Sequence, residues 1–78
     1  MAGFKVCTGR ATKKAGTKCI IVRVDDPADG MEEHISAGDD LLIPVSQIDD
    51  DSEVYEVGHE GELVITEWLA GQREWTES

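Results

Sequence analysis

The sequence predicts a mainly β fold: a small single-domain sheet, or a partly open barrel of the SH3 or OB type, with about five strands and a short C-terminal helix. Three observations lead to this prediction. The 78 residues suffice for one domain. Runs of β-branched and alternating apolar residues recur between turn signals. A pattern typical of a short helix follows the last of these runs.

The segment at residues 41–69 contains much of the bulky apolar content and is predicted to form the core β unit. An apolar run at residues 41–45 opens it, and Pro44 places that run at a sheet edge or a bulge. Two further runs, residues 53–57 and residues 62–66, are joined by four residues with glycine at both ends. This arrangement predicts a β-hairpin.

Residues 1–24 predict two strands, at 4–7 and 19–24, with a solvated connection at 8–18 between them. In the second strand we expect the core face to carry Ile20, Val22 and Val24. The connection resembles a phosphate-binding loop in composition alone, because its two glycines are seven residues apart and not five.

Residues 25–40 form an acidic insert, in which we expect an Asp-Gly turn, a short edge strand at 31–35 and a loop at 36–40. A calcium loop is excluded here, since its twelfth position is Ser36 in place of glutamate. A second acidic run, counted from Asp49, has Val54 where such a loop requires glycine.

The C-terminal part, residues 66–78, predicts a short helix at 67–75 capped by Thr66. Trp68 and Trp75 are seven residues apart and would share one helix face, packed against the sheet.

Charge is distributed very unevenly along the chain, whose formal net charge is -10. Residues 1–24 carry six bases and no acid, whereas residues 25–78 carry 17 acids and the single base Arg73. A basic segment followed by an acidic body can pair within the molecule, reach the acidic body of a second copy, or bind a polyanion.

Neither metal, cofactor nor catalytic site is predicted. Cys7 and Cys19 read as reduced thiols of a cytoplasmic protein, and with His34 and His59 they match no zinc-ligand spacing. Ser46 lacks the flanking glycines of a nucleophile elbow. The chain contains no run long and apolar enough to span a membrane and does not open on a secretion-signal pattern, so we expect neither membrane association nor export.

Four stretches are similar to a group of small uncharacterised phage and prophage proteins: residues 17–22 (TKCIIV), 43–48 (IPVSQI), 50–55 (DDSEVY) and 61–70 (GELVITEWLA). This chain departs from their pattern in its longer acidic insert and in Leu42, where an aromatic residue is usual. The resemblance implies a phage-encoded protein of the host bacterial cytoplasm with a compact β-rich fold. It implies no catalytic or binding residues.

The function we expect is that of a non-enzymatic acidic protein that binds, and modulates or inhibits, a basic partner such as a nucleic-acid-binding or host defence protein. Clustered carboxylates on one body concentrate negative potential, which attracts such a partner. The predicted partner-binding acids are Asp49, Asp50, Asp51, Glu53, Glu56, Glu60 and Glu62.

The alternative is a small module that binds a nucleotide or nucleic acid. Phosphates would meet Arg10, Lys13, Lys14 and Lys18, while Trp68 or Trp75 would stack on a base. The net charge of -10 opposes binding of long polyanions.

Overall fold

The structure is a computed structural model that describes residues 3–75. It confirms a mainly β fold, in which four antiparallel strands form one open sheet and a short helix follows the last strand. The elements are β1 Phe4–Ala15, β2 Cys19–Pro27, β3 Asp40–Pro44, a 3-10 turn Val45–Gln47, β4 Glu60–Ile65 and α1 Glu67–Gln72. The order across the sheet is β3-β2-β1-β4, so the described residues form a four-stranded open sheet and not a five-stranded barrel.

β1 is the central organising strand, because it pairs with β2 on one side and with β4 on the other. The solvated connection predicted at residues 8–18 is wrong, since β1 continues to Ala15 and the turn occupies residues 16–18 alone. The richness of this stretch in threonine, glycine and lysine suggested a connection, yet Gly9 and Ala11 are buried within the strand. The lack of a side chain at Gly9 leaves room for the carbonyl oxygen of Arg23 on the neighbouring strand.

β2 shows the alternation that its sequence predicts. Ile20, Val22 and Val24 are buried, whereas Arg23 is exposed. Ile20 lies opposite the fully buried Ile43 of β3, so the two strands share the core face.

β3 forms one edge of the sheet, as Pro44 predicts. The strand has five residues, begins with the charged Asp40 and ends at the proline. The side chain of Arg73 donates a hydrogen bond to the carbonyl oxygen of Leu42 on this strand. A short edge with a charge, a proline and an occupied carbonyl is a poor template for pairing with another strand.

The hairpin predicted between residues 53–57 and 62–66 is wrong. β4 pairs with β1, with Phe4 opposite Ile65, and residues 53–57 form bends and turns outside the ladder. Their apolar alternation suggested a strand, but among these side chains only Val54 is buried.

The outer edge of β4 is covered by the irregular segment 48–54, in which Ser52 is the key residue. Its side chain is 6% exposed, and its hydroxyl accepts hydrogen bonds from the N–H groups of Val64 (3.1 Å) and Val54 (3.2 Å). The hydroxyl also lies within donating distance of the carbonyls of Val54 (3.0 Å) and Glu62 (3.2 Å). One hydroxyl thus satisfies backbone groups that a neighbouring strand would otherwise pair.

We expect Ser52→Ala to lower the free energy of unfolding by about 1–3 kcal/mol, because it leaves two buried N–H groups without an acceptor. Urea unfolding followed by circular dichroism measures the change. Ser46→Ala, at an exposed serine of the 3-10 turn, is the matched control and should change stability by at most about 0.5 kcal/mol. Equal losses in the two variants would contradict this account of Ser52.

Three segments outside the strands, residues 28–39, 45–59 and 66–75, contribute buried side chains to the core or border the edges of the strands, and together they are called the covering layer below. The edge strand predicted at residues 31–35 is wrong, because this stretch forms turns. A strand would place Glu33 on the same face as Met31 and Ile35. The turns instead bury both apolar side chains and leave the glutamate exposed. The buried residues of the covering layer are Met31, Ile35, Ser52, Val54, Leu69 and Ala70.

The beginning of α1 confirms the predicted cap. The Thr66 hydroxyl accepts a hydrogen bond from the N–H of Leu69 at 3.2 Å and donates one to Oε1 of Gln47 at 2.8 Å. The same side chain therefore starts the helix and ties it to the 3-10 turn.

The end of α1 differs from the prediction. The helix stops at Gln72, where Glu74 takes a φ of 61° and the N–H of Trp75 donates to the carbonyl of Ala70 at 2.9 Å. This is a Schellman-type ending. Trp75 packs against the core while Trp68 is 62% exposed, so the expectation that both tryptophans pack from one helix face is wrong.

Within residues 3–75, no helix has the length and apolar character needed to cross a membrane.

Candidate functional site

The ionisable residues are segregated between the two layers of the molecule. The four strands and the β1–β2 turn carry six bases and five acids, which nearly balance. The covering layer carries one base, Arg73, and eleven acids. These acids are Asp29, Glu32, Glu33, Asp39, Asp49, Asp50, Asp51, Glu53, Glu56, Glu67 and Glu74. The excess negative charge of the described chain therefore lies in the covering layer and not in the strands.

A row of four charged residues crosses the sheet and explains much of the near balance between its positive and negative charges. Arg10 and Arg23 lie opposite each other on β1 and β2. Each is paired outward, Arg10 with Glu60 of β4 at 2.7 Å and Arg23 with Asp40 of β3 at 3.3 Å. The hydrogen bond to Glu60 raises the pKa of the Arg10 guanidinium above its ordinary value. Exposed pairs of this kind add little stability, so their main effect is to neutralise charge.

Two of the seven predicted partner-binding acids are neutralised in this way. Glu60 pairs with Arg10, and Glu62 lies 3.1 Å from the ammonium group of Lys5. Both contacts follow from the antiparallel pairing of β4 with β1. These two acids thus belong to the balanced sheet and not to the acidic layer.

Two more of the predicted acids bind the backbone. The Asp49 carboxylate accepts the N–H of Asp51 at 3.0 Å, and the Glu53 carboxylate accepts the N–H of Glu62 at 2.9 Å. Both side chains hold the segment that covers β4 in place. They still carry negative charge, but part of their hydrogen-bonding capacity is used inside the molecule.

The remaining predicted acids, Asp50, Asp51 and Glu56, are exposed and form no ion pair with a lysine or arginine among residues 3–75. The structure adds six exposed acids of the same layer that were not predicted: Asp29, Glu32, Glu33, Asp39, Glu67 and Glu74. Glu33 and Glu67 could have been found from their positions beside buried apolar residues, because the turns and the helix that bury those residues direct the acids outward.

The residues of the alternative phosphate site are dispersed. Lys13, Lys14 and Lys18 are exposed around the end of the β1–β2 hairpin, whereas Arg10 is already bound to Glu60. The proposed stacking residues belong to another element: Trp68 is exposed on α1, and Trp75 packs on the core beneath the Arg73 guanidinium, 5.5 Å from its ring centre.

A groove of about 390 Å³, called the hairpin groove below, opens beside these lysines. Its walls include Lys14, Cys19, Val45, Tyr55, Glu56 and Val57. Three of these are large apolar side chains at 41–50% exposure. The ring of His59 packs edge-on against Tyr55 at a centroid distance of 4.4 Å and supports that wall of the groove. Sequence reasoning did not find this surface, because residues 45 and 55–57 were assigned to the core unit.

The two thiols differ in environment. Cys7 is fully buried, while Cys19 is partly exposed at the hairpin groove. Burial, with a smaller contribution from Asp25, raises the pKa of the Cys7 thiol to about 12. In the part of the chain that the structure describes, no three histidine, cysteine or acidic side chains are grouped to hold a metal ion.

We expect iodoacetamide to modify Cys19 in the native protein and to spare Cys7, because the thiolate is the reactive form. Mass spectrometry should show one label per chain in buffer and two in denaturant, and Cys19→Ser should abolish the native label. Equal native labelling of both thiols would contradict the burial of Cys7.

The raised pKa of Cys7 also makes stability depend on pH, because the folded state favours the protonated thiol. The contribution of this thiol to the free energy of unfolding is fully present below about pH 9 and is lost as the pH rises to about 12.

Comparisons of this chain with protein-family models, with curated proteins and with solved structures find no match.

Proposed function

We propose that this protein is a non-enzymatic interaction protein whose covering layer binds a basic protein. The observation that supports the proposal is the segregation of charge: eleven acids and one base in the covering layer, against near balance in the sheet. Such a distribution concentrates negative charge on the covering layer, and concentrated charge steers and orients a positively charged partner.

The binding surface that we propose does not contain all seven acids that the sequence predicted. It includes exposed carboxylates that have no arginine or lysine partner among the described residues, such as Glu33, Asp50, Asp51, Glu56 and Glu67. Internal pairing of Lys5, Arg10 and Arg23 matters equally, because it keeps the bases of the sheet from neutralising this layer. In a phage setting, the concrete form of the proposal is the blocking of a nucleic-acid-binding or defence protein by carboxylates that occupy its phosphate-binding surface.

The test compares two variants that each lose three negative charges. One replaces acids of the covering layer and the other replaces paired acids of the sheet. The variants are Asp50→Asn/Asp51→Asn/Glu67→Gln and Asp40→Asn/Glu60→Gln/Glu62→Gln. Isothermal titration with a short arginine-rich peptide at low salt measures affinity, and circular dichroism confirms that each variant is folded.

We expect the covering-layer variant to lose about tenfold or more in affinity and the sheet variant to lose less than about threefold. Affinity of the parent chain should fall as salt is raised, since exposed charges are screened. Equal losses in both variants would mean that net charge alone acts, and would contradict a defined surface. No binding at low salt would contradict the proposal itself.

A further inference from the structure

Trp68 is the most exposed large apolar side chain among the described residues, at 62%. Tryptophan is highly buried on average, so an exposure of this size is unusual for its residue type. At protein–protein interfaces, tryptophan is enriched among the few residues that contribute most of the binding energy. The exposure of Trp68 therefore indicates a contact site on α1.

The surroundings of Trp68 along α1 are polar or small. Glu67, Gly71 and Gln72 are the other exposed residues of the helix, whereas Leu69 and Ala70 are buried. The helix belongs to the covering layer, which carries eleven acids and a single base. A group that is complementary to this site is therefore planar, so that it lies on the ring, and positively charged.

We propose that Trp68 binds an arginine side chain of the basic partner, an inference that rests on the proposed function. The guanidinium group is planar, always charged and weakly hydrated, so it can stack on an aromatic ring and still donate hydrogen bonds to carboxylates. Glu67, the adjacent residue, is an exposed carboxylate without a lysine or arginine partner among the described residues. A lysine ammonium is a compact, strongly hydrated charge and gains less from the ring. The site thus selects arginine over lysine.

One contact of this kind already exists inside the molecule. The Arg73 guanidinium lies over the ring of Trp75, 5.5 Å from its centre, and donates a hydrogen bond to the carbonyl oxygen of Leu42. The single base of the covering layer is therefore engaged at the other end of α1. Within residues 3–75, no comparable cation lies over Trp68, whose ring is left for a partner.

Two alternatives are less favourable on electrostatic and steric grounds. Tyr55 is the other exposed aromatic residue of the covering layer, but His59 packs edge-on against its ring at 4.4 Å, and Lys14 lines the same groove and repels an arginine. A nucleic-acid base also stacks on tryptophan, but its phosphates would meet the eleven acids of the layer. A protein that presents arginine meets neither obstacle at Trp68.

Two peptides of equal length and charge, one rich in arginine and the other in lysine, test the selectivity by isothermal titration at low salt. The parent chain should bind the arginine peptide about fivefold more tightly than the lysine peptide. Trp68→Leu keeps a good helix former but removes the ring, so it should lose about fivefold toward the arginine peptide and less than about twofold toward the lysine peptide. Tyr55→Leu is the matched control and should lose less than about twofold toward both peptides. Circular dichroism confirms that each variant is folded.

Fluorescence gives an independent measurement of the same contact. An indole that a partner covers loses contact with water, so the emission of the parent chain should shift to shorter wavelength when the arginine peptide binds. Trp75 already packs against the core and is the remaining tryptophan of Trp68→Leu. That variant should therefore show no shift with the same peptide.

The outcomes separate this inference from the proposed function. Equal affinity of the parent chain for the two peptides, or equal losses toward both in Trp68→Leu, would overturn the arginine site and leave the acidic surface standing. Failure of both peptides to bind the parent chain would overturn the proposed function and the arginine site with it. Binding of an oligonucleotide that Trp68→Leu abolishes would assign the ring to base stacking and overturn the proposal as well.

Discussion

Met31→Ala is expected to lower the free energy of unfolding by about 2–5 kcal/mol, the cost of a large cavity in a closed core. Met31 lies in the acidic insert, yet its side chain is 1% exposed and belongs to the central cluster. A chain of this length has a total stability of about 4–12 kcal/mol. The substitution therefore removes a large share of it, and urea unfolding measures the loss.

Two controls separate packing from other effects at this position. Met31→Leu conserves volume and should cost less than about 1.5 kcal/mol. Glu33→Ala changes an exposed residue of the same turn and should cost at most about 0.5 kcal/mol. If Met31→Ala were as mild as Glu33→Ala, the insert would not be packed on the sheet as the structure shows.

Gly9→Ala should be comparably severe, at about 3 kcal/mol or more, for the opposite reason of overpacking. A Cβ atom at Gly9 would lie 2.4 Å from the carbonyl oxygen of Arg23 on the neighbouring strand. That oxygen is backbone in the middle of the sheet, so relief requires the two strands to move apart. Thermal unfolding is the simplest measurement, since the melting temperature should fall by many degrees.

Other substitutions to alanine place this prediction in context. Thr8→Ala, next to the glycine on β1 and exposed, should change stability by at most about 0.5 kcal/mol. Gly71→Ala lies at an exposed position of α1 and should stabilise the protein by up to about 1 kcal/mol through helix propensity. A neutral Gly9→Ala would show that β1 and β2 can separate at this position more easily than the structure indicates.

Local patterns predicted features that are encoded within a few neighbouring residues. The alternation of Ile20, Val22 and Val24 identified the buried face of β2, and Thr66 identified the start of α1 through a bond to its own helix. The same reasoning gave a wrong prediction for the segment 53–57, although its apolar and polar residues alternate as in a strand. A strand needs a partner, and the edge of β4 is instead occupied by Ser52 and its neighbours, which no local pattern reveals.

The sequence predicted the negative charge of the candidate surface but not which residues form it. The sequence shows an acidic molecule with six of its seven lysines and arginines in the first third of the chain. Which acids are neutralised depends on strand pairing, because Glu60 and Glu62 meet Arg10 and Lys5 only when β4 lies beside β1. The hairpin groove depends on the same non-local information.

Both edge strands of the sheet have backbone groups that are already hydrogen-bonded, and this limits how the protein can polymerise. At the edge of β4, the Val64 N–H already donates a hydrogen bond to the Ser52 hydroxyl. At the edge of β3, Pro44 has no N–H to donate, and the Leu42 carbonyl already accepts a hydrogen bond from Arg73. Addition of further β-strands from other molecules would require the hydrogen bonds at one of these edges to break first. We therefore expect crowding or prolonged storage to leave the chain free of fibrils as long as the hydrogen bonds at both edges stay intact.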